Sequence, residues 1–133
     1  MTTNDDPTPP RVPPRLKASP KIRQLYWCDF PKDAQLPEMW KRRPVIILSK
    51  TTTLYGAVVI VPCSTQIQTD SRLAYKLQTT IDGRDAWAIC DKITTVAVSR
   101  LVQDKTGRIR RLGMEEFHQV LGRVLDLLPS LPG

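Results

Sequence analysis

"RPVIILSKTTTLYGAVVIVPCSTQIQ", residues 43–68, holds two apolar runs of strand length separated by a polar stretch that ends at Gly56. The runs VIIL and VVIV are short and β-branched and lack polar alternation, so each reads as a strand buried on both faces. Pro62 has no N–H to give a ladder and marks a bulge, an edge or the end of the second strand. Directly after it come Cys63, Ser64, Thr65 and Gln66, small polar groups where a buried strand finishes. Such groups either cap the strand end through local backbone bonds or face a ligand.

The flanking sequence repeats the same architecture. RQLYWCDF (23–30) alternates and ends at Pro31, which predicts a strand. The connection PKDAQLPEMWKR (31–42) is long for a hairpin, and loops of that length usually carry function. LAYKLQT is a weak strand, and in TIDGRDAWAIC the pair Asp82-Gly83 supplies the strongest hairpin signal of the chain. KITTVAVSRLV is one further β-branched run, followed by a turn at Gly107 and a short basic strand. The period then changes. Phe117, Val120, Leu121, Val124, Leu125 and Leu128 recur at three and four residues, one apolar stripe on a helix with Glu115 and Glu116 in its first turn and Pro129 as its stop. Gly122 inside that helix points to a close packing contact, and His118 at the edge of the stripe reads as a surface or partner contact. Five to seven short strands and one closing helix make an α+β protein built on a small twisted barrel or half-barrel.

Composition excludes several classes of function. At 133 residues, 41% apolar and 25% charged, the chain is one domain with a real core, and no window approaches the ~20 apolar residues of a membrane span. Six of the twelve prolines fall in residues 1–20. That segment has no apolar signal region and reads as a flexible lead-in to a domain over 21–133. Cys28, Cys63 and Cys90 are an odd, scattered set, which argues for buried thiols in a reducing cytoplasm. With one histidine and no C-x-x-C pair, neither a metal centre nor a cofactor is expected. Twenty Lys and Arg against thirteen Asp and Glu give a net charge of +7, concentrated at residues 41–43 and 105–111. This suits an anionic partner such as nucleic acid, or a solvated basic surface.

RRPVIILS (42–49) followed by VVIVPCSTQIQ (58–68) resembles the MazF/PemK family of toxin endoribonucleases from type II toxin–antitoxin pairs. QLYWCDF resembles the family's opening strand, and AWAICDKITTVAVSRL its Leu-Ala-Asp-Gln-Val segment with Asp91 at the acidic position. The likeness runs from Gln24 to Leu128. It implies an SH3-like barrel of the MazF/PemK/CcdB kind, with catalytic Arg43 and Ser64, the latter where threonine is commoner. Glu38 falls where many members place a loop glutamate. It further implies metal-independent cleavage of single-stranded RNA by 2′-OH attack, a homodimer that builds the RNA groove, and an antitoxin whose segment folds into it.

Physical chemistry supports those roles. A ribose 2′-OH supplies the nucleophile, so the protein must orient the phosphate and neutralise the phosphorane-like transition state. The Arg43 guanidinium is a planar fork for two phosphate oxygens, mounted on a strand start beside Pro44. Ser64, with Thr65 and Gln66, would bond phosphate or sugar oxygens. Trp40, Lys41 and Arg42 complete the expected RNA contacts, with Trp40 either a stacking platform or packed under its loop. Trp27 and Trp87 lie inside strands and are expected in the core. Two other readings stay open: a CcdB-like toxin that grips DNA gyrase without cutting RNA, and a basic nucleic-acid-binding module without catalysis.

Overall fold

The computed structural model describes residues 6–132; residues 1–5 of the expected lead-in and residue 133 at the domain end lie outside the described residues. Among the described residues eight strands, one more than the upper expectation, form a mostly antiparallel open sheet covered by one C-terminal helix. β1 (Gln24–Asp29), β2 (Arg42–Ile47) and β3 (Ala57–Ser64) are its centre, paired in that order. β4 (Ala74–Lys76) and β5 (Trp87–Ile89) form a hairpin, with an Ile81↔Arg84 bridge closing its tip. At that tip Asp82 and Gly83 take φ 50 and 73°, the two positive values a type I′ turn demands. The run read as one strand after Lys92 is divided into β6 (Thr94–Ala97), a 3-10 turn (Val98–Arg100) and β7 (Leu101–Val102). β8 (Arg110–Arg111) follows the Gly107 turn, and α1 covers Met114–Asp126.

The two unbroken apolar strands are buried on both faces. Val45 and Ile47 of β2, with Val58 and Ile60 of β3, enter one cluster with Tyr26, Cys28 and Leu101. Ile46, Val61 and Cys63 point the other way, into a second cluster closed by Phe117, Val120 and Val124 of α1. Because successive strand residues alternate in direction, only a run apolar at every position can feed two cores. Trp27 is half-buried against the helix-side cluster, and Trp87 is half-buried under Lys76, whose Nζ lies 5.9 Å from the ring centroid.

Pro62 is buried inside β3 rather than at its end. On one edge it pairs with Val45 of β2. On the other, β3 changes partner: residues 57–60 pair with β6 and residues 63–64 with β5. The missing N–H therefore falls in the gap between two partners, where no ladder bond is lost. Paired residue numbers sum to 154 along β6 (Ala57↔Ala97) and to 151 along β5 (Cys63↔Ala88), a three-residue offset. The 3-10 turn Cys90–Lys92 between β5 and β6 takes it up, so Asp91 and Lys92 are pushed out of the sheet.

Part of the proline-rich segment packs on the sheet. Leu16 is buried in the first cluster and Pro20 is buried as well. Arg15 pairs with Asp29 at 2.9 Å and donates to the Ser99 carbonyl at 3.2 Å.

Two expectations for the helix are corrected. Leu125 and Leu128 are exposed, so the buried stripe is Phe117, Val120 and Val124 alone, with Leu121 half-buried beside it. Gly122 meets no close contact either: a Cβ there would find nothing within 4 Å. Alanine at 122 is accordingly expected to stabilise the fold by about 1 kcal/mol, read as a higher denaturation midpoint; a lower midpoint would contradict it.

All three cysteines are buried free thiols. Burial pushes Cys28 up to about 12 and Cys90 up to about 11, and Cys63 is raised as well by burial. A thiol with a raised pKa stays protonated and unreactive at neutral pH. Iodoacetamide at pH 8 is expected to label none of them in the native protein and all of them in denaturant. Among the described residues, no helix is long and apolar enough to cross a membrane.

Candidate active site

The register of β2 against β3 sets the chemistry. Val45 pairs with Pro62, and the same register carried two residues outward sets Arg43 opposite Ser64. Both side chains line one cleft of ≈ 350 Å³, together with Glu38, Trp40 and Gln66. Thr65 does not line it, and Lys41 and Arg42 line a separate groove.

Arg43 is half-buried, and its Nε donates to the Trp40 carbonyl at 3.0 Å. The guanidinium carbon stands 5.6 Å from the Trp40 ring centroid, within cation–π range. Among the described residues no carboxylate pairs with Arg43 and nothing else bonds its terminal nitrogens. Backbone and ring thus fix the fork while its outer N–H groups stay available for an anion.

Ser64 is buried, and its Oγ accepts the Gln66 N–H at 3.1 Å. That bond is the local strand-end cap weighed in the sequence. It does not exhaust the hydroxyl: with a lone pair engaged by the backbone, the O–H proton remains free to donate.

The loop between β1 and β2 forms one wall. Phe30 is buried at its base and Met39 packs against the first cluster, which holds the loop down. Glu38 Oε1 accepts the Gln35 N–H at 2.7 Å, so the carboxylate closes its own turn. On the opposite wall Asp70 is held by Arg72 at 3.0 Å, and that hydrogen bond keeps its carboxyl below the usual carboxylate range. Asp91 and Lys92 line the same wall and, among the described residues, make no side-chain hydrogen bond or ion pair. No three His, Cys, Asp or Glu side chains gather as a metal site among the described residues.

Residues 21–127 match the sequence profile described as PemK-like, MazF-like toxin of type II toxin-antitoxin system. The chain belongs to this family. It is thus a toxin of a type II toxin–antitoxin pair, folded as an eight-stranded PemK-like sheet with one helix. Among solved structures, MazF from Deinococcus radiodurans superposes with a TM-score of 0.59 at 17% identity, covering 81% of this chain and 94% of that one. An endoribonuclease in complex with its cognate antitoxin from a Mycobacterial species superposes at 0.60 and 18% identity, over 85% and 100% of the two chains. The MazF of a MazE-MazF complex from Deinococcus radiodurans gives 0.56 at 18% identity, over 81% and 93%. At such identities these three likenesses concern the fold. No curated protein matches the chain.

Sequence reasoning about this PemK-like toxin missed Gln68, Asp70 and Lys92 as cleft residues and placed Asp91 only by resemblance. The strand runs TIDGRDAWAIC and KITTVAVSRLV break at Asp91 in the sequence, but nothing local announces that Asp91 and Lys92 face the cleft. The one available signal was Pro62, whose missing donor marks where the neighbouring strand has to change.

Proposed function

We propose that this toxin is a sequence-selective endoribonuclease acting on single-stranded RNA without a metal, with Arg43 and Ser64 on the scissile phosphate. The carrying observation is their cross-strand juxtaposition in one cleft, each pre-positioned by a backbone bond that leaves its outward donor unspent. In the reaction the ribose 2′-oxygen attacks phosphorus and loses its proton, the bond to the 5′-oxygen breaks, and that oxygen gains a proton. The products are a 2′,3′-cyclic phosphate and a 5′-hydroxyl. Arg43 donates to the equatorial oxygens as negative charge builds on them, and the Ser64 O–H adds a further donor. Donors held before the reaction spend nothing on reorganisation during it, which is what makes them effective. Glu38 acts here by holding the loop turn that carries Trp40, and Gln66 and Thr65 support the strand end.

A homodimer, a cytoplasmic setting and a cognate antitoxin belong to the same proposal. The mycobacterial neighbour bound to its antitoxin supports the last of these. An acidic antitoxin segment that folds on binding would complement the basic loop end at Lys41, Arg42 and Arg43.

Incubation of the purified toxin with a long single-stranded RNA in excess EDTA tests the reading. Discrete cuts with 2′,3′-cyclic phosphate ends are expected. Intact RNA, or cuts that need a divalent ion, would overturn it, and intact RNA with inhibited DNA supercoiling would favour a gyrase-binding toxin instead.

A further inference from the structure

Trp40 lines two concavities. On one side is the cleft of Arg43 and Ser64; on the other is a groove of ≈ 880 Å³ whose cations are Lys32, Lys41, Arg42 and Arg100. Strand geometry builds this division. Arg42 and Arg43 are successive residues of β2, so their side chains leave opposite faces, one into each concavity. The Trp40 ring stands between them, half exposed at 47%, with Lys41 Nζ 4.4 Å and the Arg43 guanidinium carbon 5.6 Å from its centroid. Lys41 has φ 56°, in the left-handed region that a Cβ-bearing residue rarely adopts.

The groove's acids do not cancel its charge. Asp29 is occupied by Arg42, at 2.6 and 3.1 Å, and by Arg15, and its backbone carbonyl accepts from Arg100 at 3.0 Å. Asp33 is the other carboxylate on the lining. Lys32 and Lys41 are exposed and, among the described residues, have no carboxylate partner. Cations on both sides of an accessible aromatic ring, exposed on the groove side, form the pattern that tracks a single-stranded polynucleotide, phosphates on the charges and a base on the ring. An acidic peptide would also meet the charge, but beyond the Trp40 ring its apolar side chains would find only Phe30 and Pro31 here.

We infer that this groove is a second nucleotide subsite of the toxin: it takes the phosphodiesters flanking the cut linkage, so that bound single-stranded RNA crosses the Trp40 ring from one concavity into the other. The inference rests on the ribonuclease reading above and adds where the rest of the substrate lies.

The test uses two RNAs centred on a mapped cut, a trinucleotide and a nonanucleotide, each with a 2′-deoxy sugar at the cut linkage so that neither is cleaved. Affinity is measured across a salt series for the wild type and for the double variant Lys32→Gln/Lys41→Gln, both substitutions being at exposed positions. Each phosphate neutralised on a single strand contributes about 0.7 to the slope of log K against log salt. The double variant is expected to flatten the slope for the nonanucleotide by about 1.4 and to erase most of its affinity advantage over the trinucleotide. Lys41→Arg alone should restore the Lys41 share of the slope. An unchanged slope, or equal losses on both RNAs, overturns the groove while leaving the cleft reading standing. Failure of the wild type to cut or bind any RNA overturns both. Variant-sensitive binding of an acidic peptide, with RNA binding unaffected, would assign the groove to a protein partner.

Discussion

Replacing Arg43 with alanine is expected to lower the single-turnover rate of RNA cleavage by about 10²–10³-fold, equivalent to about 3–4 kcal/mol of transition-state stabilisation. The guanidinium is the one cation of the cleft that β2 mounts opposite Ser64, and its Nε bond to the Trp40 carbonyl aims the remaining donors outward. Lysine at 43 should recover only a small part of the rate, because a point charge cannot grip two phosphate oxygens as a planar fork does. The fold should survive both changes, since Arg43 is half-buried and belongs to neither apolar cluster. A rate within threefold of wild type for Arg43→Ala would remove this residue from the chemistry.

The largest loss of stability is expected from Ile46→Ala, about 2–5 kcal/mol. Ile46 is fully buried in mid-β2 and faces the cluster that α1 closes. Truncation there removes contacts with both the neighbouring strands and the helix layer, and a sheet paired on either side of β2 cannot collapse into the void. The denaturant midpoint should fall with little change in slope, because the surface exposed on unfolding is nearly the same. Where the variant is still folded, it should retain measurable cleavage, since the cleft donors lie on the other face of β2. Loss of cleavage in fully folded Ile46→Ala would show that the helix-side core, and not only local bonds, positions Arg43.

Periodicity made the centre of this protein legible. VIIL and VVIV could be read as doubly buried because every position is apolar, and Asp82-Gly83 named its own turn through the φ values it tolerates. Arg43 and Ser64 were singled out by the family resemblance, and the adjacent antiparallel strands β2 and β3 bring them into one cleft. What stayed hidden is tertiary. Leu125 and Leu128 carry the same spacing as Val120 and Val124, yet the sheet beneath α1 reaches only the latter pair. Asp91 and Lys92 stand in the cleft because β3 takes two partners along one edge, a mismatch that no window of residues contains. Arg42 and Arg43 read as one basic cluster, although alternation along a strand was enough to separate them. Proline content described residues 1–20 as a free lead-in, whereas burial of Leu16 and Pro20 depends on an apolar face the rest of the chain builds.

A double-mutant cycle on the cleavage rate, with Arg43→Ala, Ser64→Ala and the pair, tests most directly whether the two side chains act on one phosphate. If they share it, each single change should be costly and the pair should cost less than the sum of the two, with a coupling of about 0.5–3 kcal/mol. Losses that simply add, or a Ser64→Ala enzyme as fast as wild type, would contradict the account.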